Sequence, residues 1–171
     1  MEIRVRPASP SDDAATEQIE VAADALLIER FGAVDWPPPT TADDRASAPG
    51  FVLVAEVLGD DDEVGRPVGF VHVLQIDGHA HLEQLSVLPP YGRRGIGRRL
   101  IQAALSETRD RGHRTITLRT YRDVPWNAPF YRSCGFAEAE PDSPLLHSLV
   151  DTETALGLFR YGPRVQMTAT L

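Results

Sequence analysis

The chain contains no lysine. All 17 of its basic side chains are arginine, set against 25 Asp and Glu for a net charge of -8. A phosphate-binding P-loop needs a Gly-Lys-Ser/Thr step, so that class of NTPase is excluded at the level of motif. An acidic chain without an interleaved basic and aromatic stripe also makes a poor nucleic-acid binder, and no nucleic-acid partner is expected. Cysteine is nearly absent as well. Cys134 stands alone, which rules out an intramolecular disulfide and fits a reducing, cytoplasmic setting. No apolar run approaches ~18 residues, and the first residues, MEIRVRPASPSDD, lack an apolar core. Neither a membrane span nor a signal peptide is therefore expected. Histidines are few, and His72, His79, His81, His113 and His147 show no spacing suited to a metal, so no metal site is expected.

With 171 residues, 42% hydrophobic and 25% charged, the chain fits one globular domain spanning 1–171. Alternation predicts strands at Glu2–Arg6, Phe51–Leu58, Val68–Ile76, His79–Leu88, Thr115–Thr120 and Arg164–Leu171. Asp77-Gly78 marks a hairpin between the third and fourth of these. Helical periodicity runs from Ala14 to Phe31, with Ser11 as its N-cap and Gly32 as its stop. Gly95–Arg111 reads as an amphipathic helix, Pro125–Cys134 as a short one and Pro144–Phe159 as a last one. Asp35–Pro49 holds three consecutive prolines and is expected to be irregular, with at most one helical turn. Asp60–Glu63 reads as a solvated acidic loop. The order is that of one α+β, or mixed α/β, domain.

The densest signal is Leu85–Leu100, LSVLPPYGRRGIGRRL. A strand ends, two prolines break it, and Gly92, Gly95 and Gly97 lead into a helix. A helix N-terminus presents unpaired N–H groups and a partial positive charge, which suits a phosphate. Four of the 17 arginines, Arg93, Arg94, Arg98 and Arg99, fall in this one stretch. In an acidic protein such a reversal points to an anionic ligand, the alternative being a solvated helix face. A dinucleotide fingerprint would need a third small residue where this sequence has Leu100. The remaining reading is a loop for the pyrophosphate of coenzyme A.

Arg94-Gly95-Ile96-Gly97 resembles motif A of the GNAT superfamily of N-acetyltransferases, Gln/Arg-x-x-Gly-x-Gly/Ala, with Gly92 departing at the first position. Some 30 residues on, Asn127–Phe136, NAPFYRSCGF, resembles motif B of the same superfamily. The resemblance implies a mostly antiparallel mixed sheet of about six or seven strands flanked by helices. It also implies an N-acetyltransferase using acetyl-CoA as cosubstrate and a primary amine, of a small molecule, as acceptor. The cosubstrate would lie on Arg93, Arg94, Gly95, Ile96, Gly97 and Arg98. Its pantetheine arm would run along the backbone of Leu85, Ser86 and Val87, with Asn127 holding the arm. Tyr131 takes the place of the tyrosine that protonates the departing thiolate, and a homodimer is an expectation of the family.

Residues two apart on a strand share a face. His79, His81, Glu83, Leu85 and Val87 therefore line one side of an unbroken strand, although relatives usually carry a bulge and a splay here. HLEQLSV resembles the same strand of aralkylamine N-acetyltransferases, which have histidines at the places of His81 and Glu83. Glu83 is the candidate base, with His81 as helper or relay; the other reading is that both only bind substrate. Trp36 and Phe31 either line the acceptor pocket or pack in the core. Cys134 reads as a packed helix residue. Specificity is expected in Asp35–Pro49 and Pro141–Thr154. Two other functions stay open: a non-catalytic acyl-CoA sensor, and an acetyltransferase for peptide or protein N-termini.

Overall fold

In the computed structural model the structure describes residues 1–59 and 65–171; the expected Asp60–Glu63 loop lies outside the described residues. Seven strands form one sheet in the order β1-β2-β3-β4-β5-β7-β6. They are β1 (Glu2–Pro7), β2 (Gly50–Leu58), β3 (Arg66–Ile76), β4 (His79–Val87), β5 (Thr115–Tyr121), β6 (Ala137–Ala139) and β7 (Arg164–Thr170). Every neighbouring pair is antiparallel except β4 and β5. Helices α1 (Asp13–Phe31), α2 (Ala42–Ser47), α3 (Ile96–Asp110), α4 (Ala128–Ser133) and α5 (Pro144–Ala155) complete it. The expected α+β class and mixed sheet are the ones observed.

Several local expectations shift. Asp12, not Ser11, occupies the N-cap of α1, because Pro10–Asp12 first forms a 3-10 turn closed by Ser9 N–H on Asp12 at 2.8 Å. The proline-rich stretch yields a six-residue helix, α2, whose N-cap Thr41 accepts from the Asp44 N–H. Helix α5 stops at Ala155 rather than Phe159, since Gly157 turns left-handed and a 3-10 turn follows. The three-residue β6 carries too few positions to show alternation.

The two faces of the sheet bury different things. On one face Ile96, Leu100, Ile101 and Ala104 of α3 pack on Val71, Val73, Leu82, Ile116, Leu118 and Met167. These α3 positions fall at helical spacing, which is why the helix lies flat along that face. On the other face Ile19 of α1 meets Val54 and Phe70. At the β1 edge, Glu56 is fully buried and bridges Arg4 and Arg6, while Arg6 also reaches Asp12, tying β1, β2 and the start of α1 together.

Leu100 is wholly buried against this sheet. Leu100→Ala is expected to cost about 2–5 kcal/mol in unfolding free energy, as cavity-forming changes do. Denaturant unfolding measures it, and a loss below about 1 kcal/mol would contradict the central place given to α3.

Candidate active site

Strand β4 carries one residue more than β3 can pair. Val73 lies opposite Leu82 and His72 opposite Gln84, so Glu83 is a bulge. Because side chains alternate along a strand, the extra residue exchanges the faces beyond it. Ala80 and Leu82 face the α3 core, and after the bulge so do Leu85 and Val87. Gln84 and Ser86 face the other side and bond to each other at 2.9 Å. The single line His79, His81, Glu83, Leu85, Val87 expected of an unbroken strand is thus corrected: Leu85 and Val87 point away from His81.

The same residue opens the sheet. β4 pairs with β5 only at His81↔Thr117 and Leu82↔Leu118. From Glu83 onward the β5-facing edge of β4 has no strand partner, while β5 itself continues to Tyr121 against β7. A bulge bends and twists its strand, which separates the two at this point. The result is a cleft between parallel strands, with α4 beneath it.

At the end of β4 the chain makes a 3-10 turn, Pro89–Tyr91, and then the glycine turn. Arg93 and Gly95 both take left-handed backbone, with φ of 59° and 79°. The first intrahelical bond of α3 is Arg99 N–H to Gly95 O, so the N–H groups of Ile96, Gly97 and Arg98 stay unpaired within the helix. A Cβ added at Gly97 would touch Phe130 at 3.4 Å and reach Leu85 at 4.0 Å, so glycine keeps this turn close to the cleft. The arginines diverge. Arg98 donates to Ser133 O and Ser133 Oγ at 3.0 and 2.9 Å, pinning α3 to α4. Arg99 donates to Ile3 O at 2.9 Å, and Arg94 lies over the Tyr91 ring. Arg93 has no hydrogen-bond partner among the described residues.

Helix α4 supplies the floor. Asn127, at its N-cap, accepts from Thr120 Oγ1 at 2.8 Å, and so locks the helix start to β5 while its amide nitrogen stays free. It makes no side-chain cap bond. Tyr131 is buried in the α3 core between the rings of Phe130 and Phe136. Burial pushes its phenol well above the ordinary value of 10, with the nearby Cys134 adding to the effect. Its hydroxyl has no hydrogen-bond partner among the described residues, yet it is not among the sealed polar atoms. Cys134 is half-buried with its sulfur near Arg98 at 3.6 Å.

Across the sheet, on the α1 side, His81 is buried and its Nδ1 shares a 2.8 Å hydrogen bond with Thr117 Oγ1. Desolvation, helped by Arg119, lowers its pKa to about 4, so the ring is neutral at neutral pH. Glu83 is solvent-exposed, although neighbouring protein atoms crowd it at the mouth of the cleft. That crowding raises its carboxyl above 4.5. Arg45 and Arg164 oppose the shift and Glu153 reinforces it. Phe31 and Trp36 stack at 6.1 Å, and Phe31 packs on Tyr161 and Tyr121. Trp36 also donates to Asp24 at 3.1 Å. These two are held mainly by each other and by their neighbours. A recess of about 900 Å³ between α1 and Pro89–Tyr91 includes neither His81, Glu83 nor Tyr131 in its lining.

The acetyltransferase (GNAT) family profile matches residues 20–136, about two thirds of the chain. The chain belongs to the GNAT acetyltransferase family. A mycothiol acetyltransferase of Clavibacter sepedonicus is 34% identical over 101 residues, which cover 58% of this chain and 33% of that protein. The chain thus spans about a third of that relative's length. Among solved structures, the Escherichia coli ribosomal-protein-S18-alanine N-acetyltransferase superposes with a TM-score of 0.67 at 19% identity, covering 99% of this chain and 94% of that one. The Thermoplasma acidophilum PaiA N-acetyltransferase, solved with coenzyme A, gives 0.63 at 20% identity with both chains fully covered. A Bacillus anthracis str. Ames acetyltransferase with acetyl coenzyme A gives 0.65 at 15%, covering 100% and 99%. At such identities these likenesses speak for the GNAT fold.

The GNAT cleft also holds residues that the motifs did not single out. Glu153 of α5 is buried and takes Arg119 of β5 at 2.7 Å and Arg164 of β7 at 2.9 Å. Arg45 of α2 is buried against Glu20 and Thr16. One signal was present: alternation in Thr115–Tyr121, TITLRTY, sets Thr117 and Arg119 on a single face, an arginine inside a strand. Glu20, Arg45 and Glu153 had no motif to mark them.

The low pKa of His81 gives a direct check. In ¹⁵N or ¹³C histidine NMR, its ring is expected to stay neutral until the pH falls to about 4. A midpoint near 6.5 would contradict the sealed contact with Thr117.

Proposed function

We propose that this GNAT domain transfers the acetyl group of acetyl-CoA directly to a primary amine of a small molecule, both substrates being bound together. The observation that carries the reading is the Glu83 bulge, after which β4 and β5 no longer pair. The residues present fit a CoA thioester. Unpaired N–H groups at Ile96, Gly97 and Arg98, with the free side chain of Arg93 and the nearby Arg94, suit a pyrophosphate. The unpaired edge of Leu85–Val87 suits an extended arm with amide groups. That edge offers backbone only, so the facing of the side chains does not matter to it.

The thioester supplies the acetyl group, and the chain supplies position and protons. An amine bound as ammonium must lose a proton before its nitrogen lone pair can form the new C–N bond. Glu83 accepts that proton, directly or through a water. Glu83 stands exposed at the opening, whereas His81 is buried with its ring committed to Thr117, so Glu83 is the base of the two. His81 stays neutral and fixes the β4–β5 junction through Thr117. An N–H on the open edge of β4 polarises the carbonyl. As the C–S bond breaks, the electron pair goes to sulfur and Tyr131 gives it a proton. The second proton of the attacking nitrogen leaves as the amide forms and, relayed through water, restores the phenol, while Glu83 returns its own proton to solvent. The raised pKa keeps this phenol protonated at working pH, so it has a proton to give to the departing thiolate.

Acetyl-CoA with a panel of amines, followed by thiol release, tests the reading. Tyr131→Phe is expected to lower kcat by about 10²-fold or more while changing the Kd for CoA little. A variant with full turnover would remove Tyr131 from the proton path. If the parent turns over no amine but binds CoA, the domain is an acyl-CoA sensor instead. Glu83 must be ionised to act, so kcat/KM should fall as the pH drops through its raised pKa. That acid limb should lie above the ordinary carboxylate range of about 4.5 and disappear in Glu83→Gln, whose turnover is lower throughout. An unchanged profile in Glu83→Gln would contradict its role as base.

A further inference from the structure

We infer that the acceptor carries a carboxylate beside its amine, and that Arg119 is the residue that selects it. The inference rests on the acetyl-transfer reading and names the substrate class for the same cleft. Arg119, Arg164 and Glu153 form a group of two guanidinium ions and one carboxylate, with a net positive charge. Both oxygens of Glu153 are engaged: Oε2 by Arg119 Nε at 2.7 Å and Arg164 Nη2 at 3.2 Å, and Oε1 by Arg164 Nε at 2.9 Å. The Arg119 side chain is only 7% exposed. Its two terminal nitrogens nevertheless donate to none of the described residues, and they are not among the sealed polar atoms. Because Glu153 is shared with Arg164, one positive charge of the group is left over, and the unspent edge of Arg119 is where a second anion would offset it.

Its position fixes which ligand it meets. The last residue of β5 paired with β4 is Leu118, so Arg119 is the first residue on the β5 wall of the opening. It lies two residues past Thr117, the partner of His81, and hence on the same face, about 7 Å along the strand. Glu83 is the first residue of the β4 wall. One wall therefore begins with a carboxylate and the other with an arginine. Charges link the two walls: His81 feels Arg119 and Glu153, and Glu83 feels Glu153 and Arg164. On the α1 side Arg45 is already committed to Glu20, so it adds no free cation there. An amine alone would use the negative wall and leave the terminal nitrogens of Arg119 without an acceptor. A molecule with an ammonium and a planar carboxylate, such as an amino acid, satisfies both, and the forked guanidinium matches the carboxylate shape.

The test compares each standard L-amino acid with its own carboxamide, singly, using the full chain and acetyl-CoA. At least one acid is expected to exceed its amide in kcat/KM by about 10-fold or more, the difference residing in KM. Arg119→Lys keeps a charge next to Glu153 but loses the fork, and it should shrink that acid-to-amide ratio at least severalfold, again through KM. Equal kcat/KM for acids and amides would overturn the inference, as would a ratio that survives Arg119→Lys. Calorimetric titration of the same acids and amides into the CoA-loaded protein separates this idea from acetyl transfer. Binding of an acid but not its amide, lost in Arg119→Lys, supports the anion site even if no acceptor turns over. Binding of neither overturns it.

Discussion

β4 has one residue too many for its partner, and the opening between β4 and β5 follows from that count. With Glu83 removed from the ladder, Ala80 and Leu82 before it and Leu85 and Val87 after it make one apolar row against α3. The strand keeps its core contacts on both sides of the bulge and absorbs the extra residue by bending. Bending detaches β4 from β5 after only two paired residues. The freed backbone edge, the mouth of the cleft and the placement of Glu83 at that mouth are three consequences of one irregularity. A bulge is tolerated because the hydrophobic pattern on either side is in register with the core, so opening the sheet sacrifices a few ladder bonds and no buried apolar surface.

The two faces then divide the work. On the α3 and α4 side the environment is apolar, and it drives the phenol of Tyr131 up and leaves it protonated. On the α1 and α5 side charge is abundant, but most of it is spent on other charges: Arg45 on Glu20, and Glu153 on two arginines. What is left over at the cleft is one carboxylate whose pKa is raised and one arginine with an unspent edge. A net acidic chain can therefore keep a locally balanced site. The glycine turn joins the two sides by placing the N-terminus of α3 at the far end of the freed strand edge.

Much of this was legible in the sequence because it is written in local patterns. The α3 face, the glycine turn and the NAPFYRSCGF segment each depend on residues close in the chain, and from them the family and the elements can be read. The bulge was not legible in the same way. HAHLEQLSV alternates well enough to read as an unbroken strand, and only the pairing of His72 with Gln84 shows the slip. Arg119, Glu153, Arg45 and Glu20 were passed over for a related reason. Their partners lie 11 to 34 residues away, and ion pairs between separate elements leave no local signature. Ser11 is not the cap because Pro10–Asp12 forms a 3-10 turn, closed by Ser9 on Asp12 and tied to β1 by Arg6.

If the extra residue creates the cosubstrate groove, deleting it should close the groove without harming the fold. A chain lacking Glu83 keeps Ala80, Leu82, Leu85 and Val87 in strict alternation, so cooperative unfolding should persist. Glu83→Gln, which retains the bulge but not the charge, is the control. Calorimetric titration of acetyl-CoA into both proteins decides the matter. The account predicts near-parental affinity for Glu83→Gln and a loss of about 10-fold or more, worth about 1.4 kcal/mol, for the deletion. A folded deletion variant that binds acetyl-CoA as tightly as the parent would contradict it.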